Sequence, residues 1–532
     1  MGNTQTKRLT LPVLGTPPEA APGAPGAAGM SGAGATATGA AVYAHGAADA
    51  TGVRINVITL GCDKNTVDTE RTLARLVGAG ATLGRGPEDA DVLVVNTCGF
   101  IDSAKEESVD TLLEAVRMKA EGRVRAVVAM GCLVQRYRDE LAAEIPEIDL
   151  FLGLTDAGRI VPELRGRGLL PESVPTMERP LRLLTSSTPH TNYLKISEGC
   201  DHTCAFCAIP LMRGRHRSTP IDTLVAEARE LAAAGVVELN LVSQDTTWYG
   251  RDLARGLTAG DGDLSVGRPF AGMAGWSGPV PAPERGATAG RTGLLPDLLR
   301  ALLTDTDVPW LRLFYMYPSG ITPELVELLA TEPRLLPYLD MPIQHGVDSM
   351  LKRMRRPERR ATILDRVARL RAAIPELALR TTVIVGFPGE TDEEFEGLLE
   401  LLEEVRFDRL GAFPYSPEES TRAVDLPDHV PEGVKRERIE RLMDLQRTIT
   451  LERNEAQVGS VRTVLVDSVE GRDTEMTGPD ERGAIGRTAG QALEVDGVVH
   501  LADAGDAAPG QFVPVRITGA LEDDLLGERV RD

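Results

Sequence analysis

The sequence contains no run of eighteen or more apolar residues, and its start lacks the charged segment and apolar stretch of a secretory leader. Neither a membrane span nor export is supported, so a cytoplasmic protein is expected. The opening MGNTQT fits the loose N-myristoylation pattern, but so short a pattern arises by chance and is read as accidental. Positive charge is scarce: Lys and Arg total 58 against 79 Asp and Glu, a net charge of -21. Lysine occurs only at Lys7, Lys64, Lys105, Lys119, Lys195, Lys352 and Lys435. Neutralising phosphates requires clustered cations, so direct nucleic-acid binding is not expected to dominate and a basic partner fits better. Only six cysteines are spread over 532 residues. That excludes the dense disulfide framework of small secreted domains and points to metal ligation or redox chemistry.

The length suggests three or more units. Residues 1–52, rich in Ala, Gly, Pro and Thr, hold too few large apolar residues to offset the entropy of ordering and read as a disordered tail. A similar stretch over residues 254–290 reads as a flexible insertion.

From Val53 the pattern turns regular. RINVITLGC, DVLVVNTCGF and RAVVAMGC are β-branched runs separated by amphipathic stretches, the mark of parallel βαβ units. They predict a Rossmann-like α/β domain over residues 53–168. After a linker near residues 166–188, NYLKIS, VVELNLVSQD, WLRLFYMYP, YLDMPIQH, RTTVIVGFPG and DRLGAFPYS supply six strands with intervening helices over residues 186–430. Six units make a partial TIM-type barrel, whose functional residues belong at the C-terminal strand ends. A charged helix follows, with Ile439, Leu442, Met443 and Leu445 as its buried stripe. The runs VRTVLVDS, GAIGRT, ALEVDGVVHL and QFVPVRIT then predict a small β-barrel over residues 454–520.

The stretch GCDHTCAFCAIP places Cys200, Cys204 and Cys207 in one loop after a predicted barrel strand. Three thiolates suit one inorganic centre, yet zinc and iron-sulfur sites are normally closed by four ligands. A 4Fe-4S cluster held by three would leave one iron open to a ligand carrying an amine and a carboxylate, as the methionyl end of S-adenosylmethionine does. The competing reading is a zinc knuckle completed by a remote His202 or His216, or three cysteines that are merely buried.

The C-x3-C-x2-C motif, with Phe206 inside it and six barrel strands behind it, resembles the radical S-adenosylmethionine superfamily. The resemblance implies that an electron from the cluster cleaves the sulfonium and releases a 5'-deoxyadenosyl radical. Cys62, Cys98 and Cys132 lie far apart in sequence, but each ends a predicted parallel strand beside a glycine, in LGC, TCG and MGC. All three belong on one sheet edge, where α/β folds place ligands. One such cysteine is more simply a small buried hydrophobe; three in the same relative position favour a second three-thiolate 4Fe-4S cluster.

Two triads followed by a β-barrel resemble the methylthiotransferases, which join a cluster domain, a radical core and a TRAM domain. The resemblance, covering about residues 53 to 520, implies hydrogen abstraction from an unactivated carbon, sulfur delivery through the open iron of the second cluster, and methyl from another S-adenosylmethionine. Two branches exist, one modifying an adenosine of transfer RNA and one an aspartate of small-subunit ribosomal protein S12. LGCDKNTVDTE, NTCGFIDSAKEES and KISEGCDHTCAFCAIPLMRGRHRS resemble the ribosomal-protein branch, whereas the transfer-RNA branch typically shows GCQMN at the first cysteine. Charge agrees: from Glu455 to Asp532, sixteen acidic residues face seven Arg and no Lys. This acidic segment would repel a phosphate backbone and attract a basic ribosomal protein. A separate sulfur donor and electron donor are implied. The runner-up is a transfer-RNA methylthiotransferase, and a more distant alternative is a zinc or RNA-binding scaffold without catalysis.

Phe206, Gln244 and Gln344 are the candidates for holding S-adenosylmethionine. Asp245, His345 and Gly386 to Glu390 also fall at strand ends facing the barrel mouth, with His345 either a base or a packed polar residue. Arg213, Arg215 and Arg217 either orient a carboxylate or form a solvated basic loop.

Overall fold

The computed structural model describes residues 52–172, 180–186, 188–254, 293–469 and 483–530. The expected tail, apart from residue 52, and the expected insertion, apart from residue 254, lie outside the described residues.

The first sheet comprises β1 (Arg54–Thr59), β2 (Thr82–Leu83), β3 (Val92–Thr97), β4 (Ala126–Gly131) and β5 (Leu150–Gly153), all parallel in the order β2-β1-β3-β4-β5. Helices α1 (Asp63–Gly78), α2 (Asp102–Ala120), α3 (Cys132–Glu144) and α4 (Ile160–Gly166) cover both faces. Alternation divides the core in two. Val92, Val94, Val128 and Met130 pack with Leu76 of α1 and Ile160 of α4, whereas Leu93, Val95, Val127 and Ala129 meet Leu112 of α2 and Leu133 of α3. Covered on both faces, β3 and β4 are buried along their whole length, which explains their unbroken apolar runs.

The second sheet begins with β6 (Thr191–Lys195). A two-stranded ribbon, β7 (Ser197–Glu198) and β8 (Arg217–Ser218), brackets the cysteine loop and helix α5 (Ile209–Arg213). Then come β9 (Glu238–Val242), β10 (Trp310–Leu313), β11 (Leu335–Asp340), β12 (Ala378–Val385) and β13 (Arg409–Pro414), giving a six-stranded parallel order β6-β9-β10-β11-β12-β13. Leu239, Leu241, Leu311, Leu313 and Leu339 pack outward with the helices, while Trp310, Phe314, Leu336 and Tyr338 point inward.

Six strands leave the barrel open, and the last domain packs across the starting ends of its strands. It is a closed barrel of β14 (Val461–Val469), β15 (Ala484–Thr488), β16 (Val499–Leu501), β17 (Phe512–Ala520) and β18 (Leu525–Arg529). Leu465 and Ala492 join the inward cluster, and the Phe512 and Trp310 rings stand 4.9 Å apart, edge to face. Arg312 and Arg487 both pair with buried Glu238, at 2.8 and 2.7 Å, and Arg487 also pairs with Asp467 at 2.7 Å. Glu238 and Trp310 open their strands, so this domain packs at the starting ends and leaves the C-terminal ends to the site. The helix Glu432–Glu455 buries Leu442 fully and Ile439, Met443 and Leu445 in part. Among the described residues no helix is long and apolar enough to cross a membrane.

Candidate active site

Cys62, Cys98 and Cys132 follow β1, β3 and β4, three neighbouring strands of one sheet, at the same ends. The strand order changes direction between β1 and β3, the place where open α/β sheets bind ligands. The backbone there is built for close approach. Gly61 has φ +93°, and a Cβ on it would lie 2.8 Å from Cys98 Cβ and 2.9 Å from its sulfur. Ser108 clamps the Cys98 backbone, its Oγ accepting from the amide at 3.0 Å and donating to the carbonyl at 2.8 Å. Asn65 stitches the three segments together: Nδ2 donates to the carbonyls of Leu60 (2.7 Å) and Thr97 (3.3 Å), and Oδ1 accepts from Cys132 Sγ at 3.8 Å. Burial, with Cys62 adding to it, pushes the Cys98 thiol up to about 11, and burial pushes Cys132 up to about 12. Such thiols stay protonated until a metal supplies the positive charge that thiolates need.

The second triad occupies the loop between β7 and α5. Gly199, at φ +75°, lets that loop fold against the return strand, where a Cβ would meet the Arg215 carbonyl oxygen at 2.2 Å. Burial raises Cys200, and burial with the neighbouring Cys204 raises Cys207 to about 12. Two groups outside the motif address Cys204: the Tyr317 hydroxyl at 3.2 Å and Arg356 Nη1 at 3.9 Å, with the Arg356 guanidinium 3.9 Å above the Tyr317 ring. His202 stacks flat on Tyr317 at 4.0 Å, and its Nε2 is 2.7 Å from Asp245 Oδ2. His216 is buried with Nε2 3.1 Å from Ser218 Oγ. Among the described residues no three His, Cys, Asp or Glu side chains meet at the spacing of one ion's ligand shell. Thiolates on a cubane each bind a different iron and stand further apart. Each triad offers three thiols, and Gly61 leaves room where a side chain would press on Cys98, a donor set whose chemistry suits an iron-sulfur cluster.

The two pockets adjoin. Arg213, expected either to orient a carboxylate or to sit in a solvated loop, is 3% exposed and lies between them, so the solvated reading fails. Its Nη1 donates to Glu198 at 2.7 Å and Asp68 at 3.3 Å, and Lys195 bridges the same two carboxylates. Burial alone would raise Glu198, but Arg213 and Lys195 hold it down at about 2. Arg215 is exposed and Arg217 half-buried. Tyr315, just past β10, adopts a left-handed φ of +56°, and its ring lies 3.3 Å beneath the Lys64 ammonium, two residues from Cys62. Arg182, in the expected linker, is buried with Glu70 and Glu227.

Of the cofactor candidates, Gln244 donates to Glu198 at 3.4 Å and leaves a buried side-chain oxygen without a partner. Gln344 has φ +71°, its amide donating to Thr382 O and its carbonyl accepting from Ile384 N, both at 2.9 Å. Arg356 ties this loop to the triad by donating to Pro342 O at 2.8 Å. Phe206 packs with Met350, Met354, Phe387 and Tyr415. His345 is fully buried, and burial pushes it down to about 3; Nδ1 accepts from Val347 N at 3.1 Å, which makes it a packed neutral imidazole. Glu390 closes the Gly386 turn, accepting from the Gly386 amide at 3.0 Å, and pairs with Arg438 at 2.7 Å. Asn65, Asp68, Glu198, Tyr315, Tyr317 and Arg356 escaped the sequence reading. The tyrosines at the strand end of WLRLFYMYP carried the one usable signal.

Three family models match in chain order: the uncharacterized family UPF0004 over residues 54–153, the radical SAM superfamily over 194–402 and the TRAM domain over 458–530. A ribosomal protein uS12 methylthiotransferase RimO from Anaeromyxobacter sp. (strain Fw109-5) is 46% identical over 483 residues, covering 90% of this chain and 93% of that protein. The chain belongs to the RimO family. Another RimO, from Symbiobacterium thermophilum, is 44% identical over 486 residues, covering 90% of this chain and 91% of its own. Among solved structures, the radical S-adenosylmethionine methyltransferase TsrM from Kitasatospora setae, with cobalamin and a 4Fe-4S cluster, has 13% identity and a TM-score of 0.45 over 69% of this chain and 77% of that one. As a RimO-family member the chain is a radical SAM methylthiotransferase, an enzyme that uses an iron-sulfur cluster and S-adenosylmethionine.

Proposed function

We propose that this chain installs a methylthio group on the β-carbon of an aspartyl residue of ribosomal protein S12 in the cytoplasm. In this reading Cys200, Cys204 and Cys207 hold one 4Fe-4S cluster, and Cys62, Cys98 and Cys132 hold a second. The observation that carries it is the adjacency of the two pockets, joined by α5, in a chain whose relatives are named for uS12. When bound, the clusters and S-adenosylmethionine supply an electron, a hydrogen-abstracting radical, sulfur and methyl.

The chain's own groups do the positioning. Tyr317 and Arg356 fix the Cys204 sulfur, and Asp245 orients His202 against the Tyr317 ring. Gln244 offers an unpartnered buried oxygen, the kind of acceptor an amine of S-adenosylmethionine would satisfy. Phe206, packed with Met350 and Phe387, and Gln344, its backbone pinned between Thr382 and Ile384, are the remaining candidates for holding S-adenosylmethionine in this reading. The acidic last domain favours a basic protein over a phosphate backbone, although Asp467 and Asp496 spend their charge on Arg487 and Arg380. A sulfur donor and an electron donor complete the scheme.

Anaerobic reconstitution with iron and sulfide, followed by reductant, S-adenosylmethionine and S12, should add one methylthio group to an aspartate, read by mass spectrometry of the protein. An unmodified aspartate under those conditions overturns the reading, and modified transfer RNA would favour the other branch.

A further inference from the structure

Helix α5 starts two residues after Cys207, yet it packs on the other triad: Ala208 and Met212 share an apolar cluster with Cys132 and Leu154. At its last residue the Arg213 guanidinium turns into the first domain. Nη2 donates to Asn65 Oδ1 at 2.5 Å, and that same oxygen accepts from Cys132 Sγ at 3.8 Å. Asn65 is also the residue bonded to the carbonyls leading into Cys62 and Cys98. One buried cation, carried by the loop of the second triad, thus stands a single oxygen atom away from a sulfur of the first. A tie between domains needs no charge at that point, since Lys195 with Asp68 and the Lys105 and Arg136 pairs with Glu418 already bridge them.

We propose that Arg213 is a positioning residue for the first triad, a cation lent by the radical domain that sets the charge felt by a cluster at Cys62, Cys98 and Cys132. The inference rests on the two-cluster reading above. Guanidinium stays protonated at every working pH. Iron-sulfur potentials respond to net charge, hydrogen bonding and exposure, and a charge acts strongly where water is excluded. A cation here favours the reduced, more negative cluster and raises its potential. Asp68, which accepts from Arg213 Nη1, opposes it from helix α1.

The test uses the full chain carrying Cys200→Ala, Cys204→Ala and Cys207→Ala, so that the first triad's cluster is read alone by redox titration with electron paramagnetic resonance. Arg213→Gln should shift its potential negative, lowering the reduced-to-oxidised ratio at fixed potential at least tenfold, ~59 mV for a one-electron couple. Arg213→Lys should restore most of that shift, and Asp68→Asn should move the potential the other way. In the complementary chain lacking the first triad, Arg213→Gln should shift the remaining cluster less than it shifts the first triad's, and an equal or larger shift there overturns the assignment. Equal potentials for Arg213 and Gln, or Lys and Gln shifting alike, overturn the proposal. Should Arg213→Gln fail to assemble, the absence of a positive shift in Asp68→Asn overturns it as well. If the single-triad chain with Arg213 intact binds no cluster, the two-cluster reading is what fails.

Discussion

Gly61→Ala is the sharpest probe of the first pocket. The new methyl would sit 2.8 Å from Cys98 Cβ, 2.9 Å from its sulfur and 3.2 Å from Asn65 Nδ2, and the residue would keep φ +93°. Holding an L side chain in that region costs about 1–3 kcal/mol, and overpacking of this kind costs about 1–3 kcal/mol more. The sum, about 2–6 kcal/mol, is a large part of the roughly 5–15 kcal/mol that holds a domain together. Because Ser108 pins the Cys98 backbone, the Gly61–Cys62 segment is what must yield, carrying a ligand out of place. The reconstituted variant should therefore hold half the iron and sulfide of the parent, release 5'-deoxyadenosine and fail to transfer methylthio. Cys98→Ala should show the same split. A Gly61→Ala chain with full iron and undiminished transfer would refute the reasoning.

Other expectations follow from buried charge and from capping. Arg182→Met leaves Glu70 buried without its cation, while Glu227 keeps Arg71 at 2.8 Å, and should cost about 3–5 kcal/mol in urea unfolding; a change within error would show that the pair is not doing this. Glu198 lies at about 2 instead of an ordinary 4.5. Its contribution, about 3 kcal/mol, is complete above 4.5 and lost as pH falls through about 2. Glu198→Gln should flatten the acid limb of the stability profile, and an unchanged limb would count against the Arg213 and Lys195 contacts. Thr391 caps the helix Asp392–Val405, accepting from Glu394 N at 3.2 Å. Thr391→Ala should lower stability by about 1 kcal/mol with activity intact, and lost activity would place the cap in the site.

Much of this architecture was legible because its signals are local. β-branched runs name the strands, and a glycine beside each cysteine marks the strand ends. What escaped was short or non-local. β5 spans four residues and β2 two, too few to show a period, and β18 follows a turn of acidic residues that masks it. Arg213 looked like one charge in a basic loop because its partners, Asn65 and Asp68, lie 148 and 145 residues earlier. Strand order and the inward packing of the last domain depend on such distant pairs, which no window of sequence contains.

The way the last domain packs on the starting ends of the barrel strands also sets a schedule for making the protein. Arg487 Nη2 hydrogen-bonds Thr191 Oγ1 across 296 residues. At about 5–20 residues per second, a ribosome takes roughly 15–60 s to pass from one to the other. From the moment they emerge within that interval, Glu238 and Arg312 wait in an unfinished core, without the cation and the carbonyl that complete them. The nascent chain therefore carries an unsealed polar seam until residues 487–489 emerge, a period in which a chaperone has a defined surface to guard.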